Sequence, residues 1–142
     1  MAKIFYFKTK VYYEDTDAGG IVYYANYLKF LERARTELIY DLGLNHQKLI
    51  ETYGFQIVVS HCDIAFKKPA LFEDSLMVET SIEELSAVKI MMKQNIYKLE
   101  SISRDNKEHL LVEAKVKLAC INKESKPSKM PVEALTLFKS CL

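Results

Sequence analysis

The sequence predicts an α+β domain in which one long helix packs against a mostly antiparallel sheet. One segment, 26–42, shows a sustained helical period. One segment rich in aromatic and β-branched residues precedes it, and four segments with apolar residues at alternate positions follow it. Only four glycines and three prolines interrupt the chain, which favours long elements with short connections. The 142 residues fit one domain, 1–142.

Composition and charge exclude several classes of protein. Hydrophobic residues make up 49% and charged residues 27%, which is typical of globular chains and excludes disorder. The net charge of +1 argues against binding through bulk basicity, so we expect no nucleic-acid partner. Three cysteines without close spacing fit a reducing compartment, and no apolar run is long enough to cross a membrane. The expected location is therefore the cytoplasm.

Residues 3–13 are rich in aromatic and β-branched side chains and are predicted to form the first strand. The helix 26–42 would span about 25 Å. Asn26 is predicted to cap it, because its side-chain oxygen can accept an unpaired N–H of the first turn. Gly43 is predicted to end it in the left-handed conformation. One apolar stripe, widened by Tyr27, Ala34 and Ile39, is expected to face the sheet: Leu28, Leu31, Arg35, Leu38 and Leu42.

The second half of the chain is predicted to be mostly strands, after one or two helical turns in 46–53. The predicted strands are 56–66, 76–82, 88–99 and 109–121. In the first of these, one face is predicted to carry Val58, Ser60, Cys62, Ile64 and Phe66. Residues 105–107 are predicted to form a hairpin turn and 131–139 a short helix. A single sheet leaves an edge strand free, so we expect oligomerisation through that edge.

The connection between the first strand and the helix carries the densest chemical signal. Asp15 and Asp17 are followed by Gly19 and Gly20 and then by a helix start. Glycines let a ligand approach the backbone closely, and the first turn of a helix offers unpaired N–H groups that suit an oxyanion. A carboxylate nearby can act as a nucleophile or general base. The alternative interpretation is a polar turn with an acidic cap.

Other chemistries fit the sequence less well. A calcium loop starting at Asp15 would place Gly19 and Asn26 where anionic ligands are needed, so no metal site is expected. Cys62 and His61 are adjacent on a predicted strand and would point to opposite faces, which excludes a nucleophile–base pair there. Gly-x-Ser-x-Gly is absent from the sequence.

The segment 13–23, Tyr-Glu-Asp-Thr-Asp-Ala-Gly-Gly-Ile-Val-Tyr, resembles the signature of hot-dog-fold acyl-CoA thioesterases of the 4-hydroxybenzoyl-CoA thioesterase family. With Leu-Glu-Arg-Ala-Arg at 31–35 it is most similar to the Tol–Pal-associated, YbgC-like branch. The resemblance implies a long central helix wrapped by an antiparallel sheet of about five strands. It also implies hydrolysis of a CoA thioester to a free acid and CoA without a metal or other cofactor.

The same resemblance assigns roles to individual residues. Asp17 matches the catalytic carboxylate, as nucleophile or general base, and the backbone N–H of Tyr24 matches the group that polarises the thioester oxygen. The positions implied to bind substrate are Gly19, Gly20, Tyr27, Val58, Val59 and Lys89. Two of the assigned residues depart from the family pattern. Members of the branch often have His in place of Tyr24, and many relatives have a small hydroxyl residue in place of Lys89.

The partners implied are an acyl-CoA substrate and further copies of the chain, as a homodimer or a dimer of dimers with sites between protomers. An acyl carrier protein or envelope-associated proteins are further candidates. Two other functions stay open. A hot-dog hydratase or dehydratase would need a His near the acidic loop, and none lies there. A non-catalytic acyl-CoA or acyl-carrier-protein binding module would not require Asp17.

Overall fold

The computed structural model describes residues 2–99 and 109–142 and contains five strands and three helices in the predicted order. The strands are β1 (Phe5–Lys10), β2 (Gln56–Phe66), β3 (Ser75–Leu85), β4 (Lys89–Lys98) and β5 (Leu110–Ile121). The helices are α1 (Tyr27–Asp41), α2 (His46–Glu51) and α3 (Val132–Lys139). In residues 2–99 and 109–142 no helix has both the length and the apolar composition that a membrane span requires. The hairpin turn predicted at 105–107 lies outside the described residues.

All five strands belong to one antiparallel sheet in the order β1-β3-β4-β5-β2. The two edges of the sheet are therefore β1 and β2. The helix α1 lies against β1 and β3, at one side of the sheet. The α+β prediction is confirmed, and Val59 on the edge strand β2 stays 49% exposed within one copy of the chain.

The inner faces of the three central strands follow the predicted alternation. In β3, Leu76, Val78 and Ile82 are buried, and in β5 every second residue from Val112 to Cys120 is buried. These side chains meet the buried face of α1, and the two form one continuous core. Alternation of apolar residues gives this result because neighbouring strand residues point to opposite faces.

The start of α1 differs from the prediction. A short 3-10 turn, Tyr24–Asn26, leads directly into the helix, and the side chain of Asn26 makes no capping hydrogen bond. Asn26 already has a helical backbone conformation, so its side chain cannot turn back over the first turn as an N-cap does. Gly43 has a φ of 79°, which confirms the left-handed residue predicted after the helix.

The buried face of α1 is rotated from the predicted stripe. Leu28 is 48% exposed, whereas Phe30 is fully buried together with Leu31, Ala34 and Leu38. The sequence pattern could not fix this rotation, because apolar residues surround more of the first turn than one sheet can cover.

A β-bulge in β2 changes which side chains face inward. The register with β5 shifts between Val59 and His61, so that Ser60 has no opposing residue in β5. Val59 pairs with the buried Leu118 and therefore shares the inner face with Cys62 and Phe66, whereas Val58 lies on the outer face. The predicted grouping of Val58 and Ser60 with Cys62 was wrong, because one extra residue reverses the alternation.

A buried polar network joins α1 to the centre of the sheet. Gln94 of β4 has no exposed surface, and its amide donates to the Thr80 hydroxyl at 2.9 Å and to the Leu31 carbonyl at 3.0 Å. Its Oε1 accepts a 3.0 Å hydrogen bond from the Arg35 guanidinium. Burial lowers the pKa of Arg35 from its ordinary value, with nearby Glu32 acting against this. The network thus fixes the position of α1 along the sheet by hydrogen bonds with defined geometry.

Replacing Gln94 with the similarly sized Met is expected to lower the free energy of unfolding by about 2–4 kcal/mol, because Thr80, the Leu31 carbonyl and Arg35 all lose a buried partner. Urea unfolding measures this loss. Gln47→Met on the exposed side of α2 is the matched control and should change stability by less than about 0.5 kcal/mol. Equal midpoints for the two variants would contradict the role given to the network.

Candidate active site

The connection between β1 and α1 folds into a tight loop. Thr16 and Val22 form an antiparallel bridge, and inside it the Asp17 N–H donates to the Ile21 carbonyl at 2.9 Å. The Gly20 N–H donates back to the Asp17 carbonyl at 3.0 Å. Gly20 has a φ of 79°, a conformation that residues with a side chain rarely adopt. The loop is therefore held by its own backbone and presents its tip to solvent.

The Asp17 carboxylate lies at this exposed tip. Its Oδ1 accepts a hydrogen bond of 2.8 Å from the Gly19 N–H. A Cβ at position 19 would lie 3.2 Å from the same oxygen, so glycine lets the carboxylate fold closely over the turn. Among the described residues nothing donates to Oδ2 of Asp17. One carboxylate oxygen is thus oriented and the other is available for chemistry.

Asp15 is buried beneath the loop and holds it in place. Its carboxylate accepts a 2.9 Å hydrogen bond from the Tyr12 N–H. Its carbonyl accepts two hydrogen bonds, from the Tyr23 N–H at 3.0 Å and from Nδ2 of Asn26 at 2.9 Å. These three hydrogen bonds lie within the loop and the start of the helix, so Asp15 stabilises the loop structure.

Tyr24 is the first residue of the 3-10 turn that leads into α1. Within residues 2–99 and 109–142 no group accepts a hydrogen bond from its backbone N–H. This N–H lies at the positive end of the helix, where unpaired donors attract developing negative charge. Its ring is exposed and packs edge-on against Phe66, with 6.0 Å between ring centroids.

Tyr27 and Phe66 form an aromatic wall beside this helix start. Their ring centroids are 5.7 Å apart, and Tyr27 is buried while Phe66 is 48% exposed. The Tyr27 hydroxyl accepts a hydrogen bond of 2.9 Å from the Ala70 N–H, and burial raises the pKa of the phenol despite that bond. Tyr27 therefore contributes its ring to the wall, while its hydroxyl stabilises the backbone.

Phe66 was not assigned a role by the sequence analysis. It closes the inner face of β2 and contacts both Tyr24 and Tyr27. A large apolar residue at the end of a predicted strand, shortly before Pro69, is the sequence signal that could have indicated it. Its contacts with Tyr24 and Tyr27, which lie much earlier in the chain, were needed to place it at the site.

The remaining predicted substrate positions are separated in the structure. Val59 lies on the same inner face as Phe66 and is 49% exposed, whereas Val58 is on the outer face. Lys89 begins β4 and pairs with Glu84 at 3.9 Å. Because β4 is about 30 Å long, Lys89 lies at the opposite end of the sheet from the loop. Within one copy of the chain, Lys89 and Asp17 do not meet.

The cysteines are poorly suited to nucleophilic catalysis. Burial raises the pKa of Cys62, although the nearby Arg35 acts against this, and burial raises the pKa of Cys120 to about 11. The reactive thiolate form is therefore disfavoured at both positions. Among the described residues no group of three His, Cys, Asp or Glu side chains is arranged to hold a metal ion.

Comparison with known proteins places this geometry in a family. A family profile described as the thioesterase-like superfamily matches residues 11–138. The acyl-CoA thioesterase YbgC of Haemophilus influenzae is 38% identical over 135 residues, which cover 94% of this chain and 93% of that protein. A probable thioesterase from Bartonella henselae, known from its crystal structure, is 38% identical with a TM-score of 0.77, covering 90% of this chain and 99% of that chain.

A third comparison concerns the fold alone. The 4-hydroxybenzoyl CoA thioesterase of Pseudomonas sp. strain CBS-3 superposes with a TM-score of 0.83 at 20% identity, covering 96% of this chain and 99% of that chain. The sheet that partly surrounds one long helix is thus the hot-dog fold implied by the resemblance of segment 13–23. Together with the match over residues 11–138, these likenesses show that the chain belongs to the thioesterase-like superfamily and, within it, to the family of the YbgC acyl-CoA thioesterases.

Proposed function

We propose that this thioesterase hydrolyses acyl-CoA thioesters to a free carboxylic acid and CoA. The observation that carries the proposal is the junction of loop and helix. There Asp17 keeps one carboxylate oxygen without a donor, and Tyr24 keeps its N–H without an acceptor, among the described residues. A carboxylate and an unpaired helix N–H at one junction suit attack on a carbonyl group. The name of the Haemophilus influenzae relative supports acyl-CoA as the substrate.

The proposed reaction begins with the thioester oxygen accepting a hydrogen bond from the Tyr24 N–H. Asp17 then either takes a proton from water as the water attacks the carbonyl carbon, or attacks that carbon itself. In the first route the carbon–sulfur bond breaks and the proton passes to the CoA sulfur. In the second, the CoA thiolate leaves first, and water then hydrolyses the mixed anhydride. Neither route calls for a metal or other cofactor, because the two groups supply the nucleophile or base and the oxyanion donor.

We further propose that two copies of the chain assemble through the edge strand β2. The inner face of this strand is apolar, and Val59 on it is 49% exposed within one copy. The face ends at Phe66 of the aromatic wall, which is 48% exposed although it contacts Tyr27 of α1. An uncovered apolar face beside an unpaired strand edge favours pairing with another strand. A two-fold symmetric pair is antiparallel, so the Phe66 end of one copy lies beside the Gln56 end of the other.

In this assembly Lys89 would take part in substrate binding. The start of β4 lies on the same end of the sheet as Gln56, because Lys89 pairs with Ala119 and Ala119 with Val58. In the proposed dimer that end approaches the Asp17 loop of the other copy. Lys89 is therefore proposed to attract the CoA phosphates bound at the partner's site.

We propose that the protein is located in the cytoplasm, in keeping with its three free cysteines.

Asp17→Asn is expected to lower kcat by about 100-fold or more while the protein stays folded, because the amide can neither attack nor accept the proton. Turnover is measured with acyl-CoAs of graded length, benzoyl-CoA and an acyl-carrier-protein thioester. Asp41→Asn, at the exposed end of α1, is the matched control and should retain kcat. Saturable binding without turnover of any thioester by the wild-type chain would instead establish a binding module.

Replacing Tyr24 distinguishes the backbone N–H from the side chain. Tyr23 has φ −63° and ψ 127°, a conformation that tolerates a following proline, and proline is favoured at the first helical position. Tyr24→Pro and Tyr24→Ala both lose the ring, but only the proline variant loses the N–H. We expect the proline variant to have a kcat about 100-fold below that of the alanine variant, since one oxyanion donor is missing. Equal rates for these two variants would rule out the Tyr24 N–H as that donor.

Val59→Lys tests the proposed dimer, because it would bury an unpaired charge at the β2 interface. We expect sedimentation equilibrium to show a shift towards monomer, with a parallel loss of thioesterase activity. Tyr6→Lys places the same charge on the opposite edge strand, at an exposed position, and should leave the assembly intact. A Val59→Lys variant with unchanged mass and activity would exclude β2 as the interface.

A further inference from the structure

We infer that Asn26 is a positioning residue for thioester hydrolysis, with its side chain holding the Tyr24 N–H in register with Asp17. The inference rests on the proposed function, because it concerns the two groups that would act on the thioester. Neither the resemblance to the family nor the comparisons assign Asn26 a role, and the sequence pattern indicated only a helix cap.

The Asn26 side chain points away from its own helix. Its Nδ2 donates to the Asp15 carbonyl at 2.9 Å, eleven positions earlier in the chain. A capping asparagine works the other way round, as Asn45 does when its Oδ1 accepts the Lys48 N–H at 2.8 Å. Asn45 thus uses its side-chain oxygen to stabilise the start of its own helix. Asn26 uses its side-chain nitrogen to connect a helix start to the loop before it.

The Asp15 carbonyl accepts hydrogen bonds from residues on both sides of Tyr24. The Asp15 carbonyl accepts the Tyr23 N–H at 3.0 Å as well as the Asn26 amide. Tyr23 precedes Tyr24 directly and Asn26 follows it by two residues. A single hydrogen bond at Tyr23 would let the helix start pivot about that contact, whereas the second bond at Asn26 fixes its rotation.

Asp15 also defines the position of Asp17, which follows it by two residues. The Asp15 carboxylate accepts the Tyr12 N–H at 2.9 Å. The loop beyond it is closed by the bridge between Thr16 and Val22. The Asp15 peptide group is thus a common reference for the carboxylate and for the helix N–H. Displacing either group by about 1 Å can lower a reaction rate by about 100-fold.

The contact contributes more to geometry than to folding. Without the Asn26 amide, the Asp15 carbonyl still accepts the Tyr23 N–H, so no buried acceptor is left without a donor. The 3-10 turn also keeps its own hydrogen bond, from the Asn26 N–H to the Tyr23 carbonyl at 2.8 Å. Removal of the side chain is therefore expected to leave the turn folded while allowing it to rotate.

Two substitutions remove the hydrogen bond from Asn26 to the Asp15 carbonyl in different ways. Asn26→Ala deletes the donor, and Asn26→Asp keeps the size of the side chain but places an acceptor against the Asp15 carbonyl. We expect each to lower kcat by about 10- to 100-fold with KM within about threefold of wild type, because the ground-state contacts of the substrate lie elsewhere. Asn45→Ala is the matched control, since it removes a helix-start hydrogen bond far along the chain from the loop, and should keep wild-type kcat.

Combination with Asp17→Asn separates positioning from general damage. If Asn26 acts by aligning Asp17 with the helix N–H, Asn26→Asp should slow Asp17→Asn by less than about twofold in single-turnover assays at high enzyme concentration. A loss that multiplies in the double variant overturns the inference, as does a kcat within twofold of wild type for both single variants. A change confined to KM, or a matching loss in Asn45→Ala, also overturns it. Absence of turnover by the wild-type chain is a different result, which would refute the proposed function itself.

Discussion

The peptide groups on either side of Ala70 hold the loop, the helix and the sheet in one frame. The Ala70 N–H donates to the Tyr27 hydroxyl of α1 at 2.9 Å, and the Ala70 carbonyl accepts the Val22 N–H of the loop at 2.9 Å. Ala70 is fully buried and lies just before β3. Because buried peptide groups must keep their partners, Val22 at the end of the loop and Tyr27 at the start of α1 are both fixed to this segment. The 3-10 turn between them is held in rotation by the Asn26 amide. The relative placement of Asp17 and Tyr24 depends on this constraint.

A second consequence is that α1 covers one side of the sheet more than the other. The helix α1 is fixed over β1 and β3, and the buried network around Gln94 prevents it from sliding towards β2. Two apolar side chains on the inner face of β2, Val59 and Phe66, therefore stay about half exposed within one copy of the chain. One geometric choice, the side on which α1 lies, thus accounts both for the aromatic wall and for the surface proposed to meet a second copy.

Sequence patterns were informative where one physical effect dominated. The alternation in β3, β4 and β5 was predictable because each strand has one buried face, and Gly43 because only a left-handed residue ends the helix that way. Asp17, Gly19 and Gly20 could be placed together because they are consecutive in a short loop. Their proposed roles came from the resemblance and stay predictions.

The failures have equally specific causes. The bulge at Ser60 depends on register with β5 and has no local signal, so the faces of Val58 and Val59 were wrongly assigned. Asn26 was expected to cap the helix, because a capping residue and a donor to a distant carbonyl have the same sequence signature. Phe66 was missed as part of the aromatic wall because its ring partners, Tyr24 and Tyr27, are distant from it in sequence.

The hydroxyl of Tyr27 also bears on how such a site can diversify. Its hydrogen bond with the Ala70 N–H makes this residue part of the frame, so that its loss would leave a buried donor without a partner. Val59 and Phe66 take no part in that hydrogen bond and are each about half exposed within one copy of the chain, so a change in their size leaves the Tyr27–Ala70 contact in place. Exchanging side chains on β2 would therefore alter the acyl-binding surface of the proposed site without moving the proposed reacting groups, Asp17 and Tyr24.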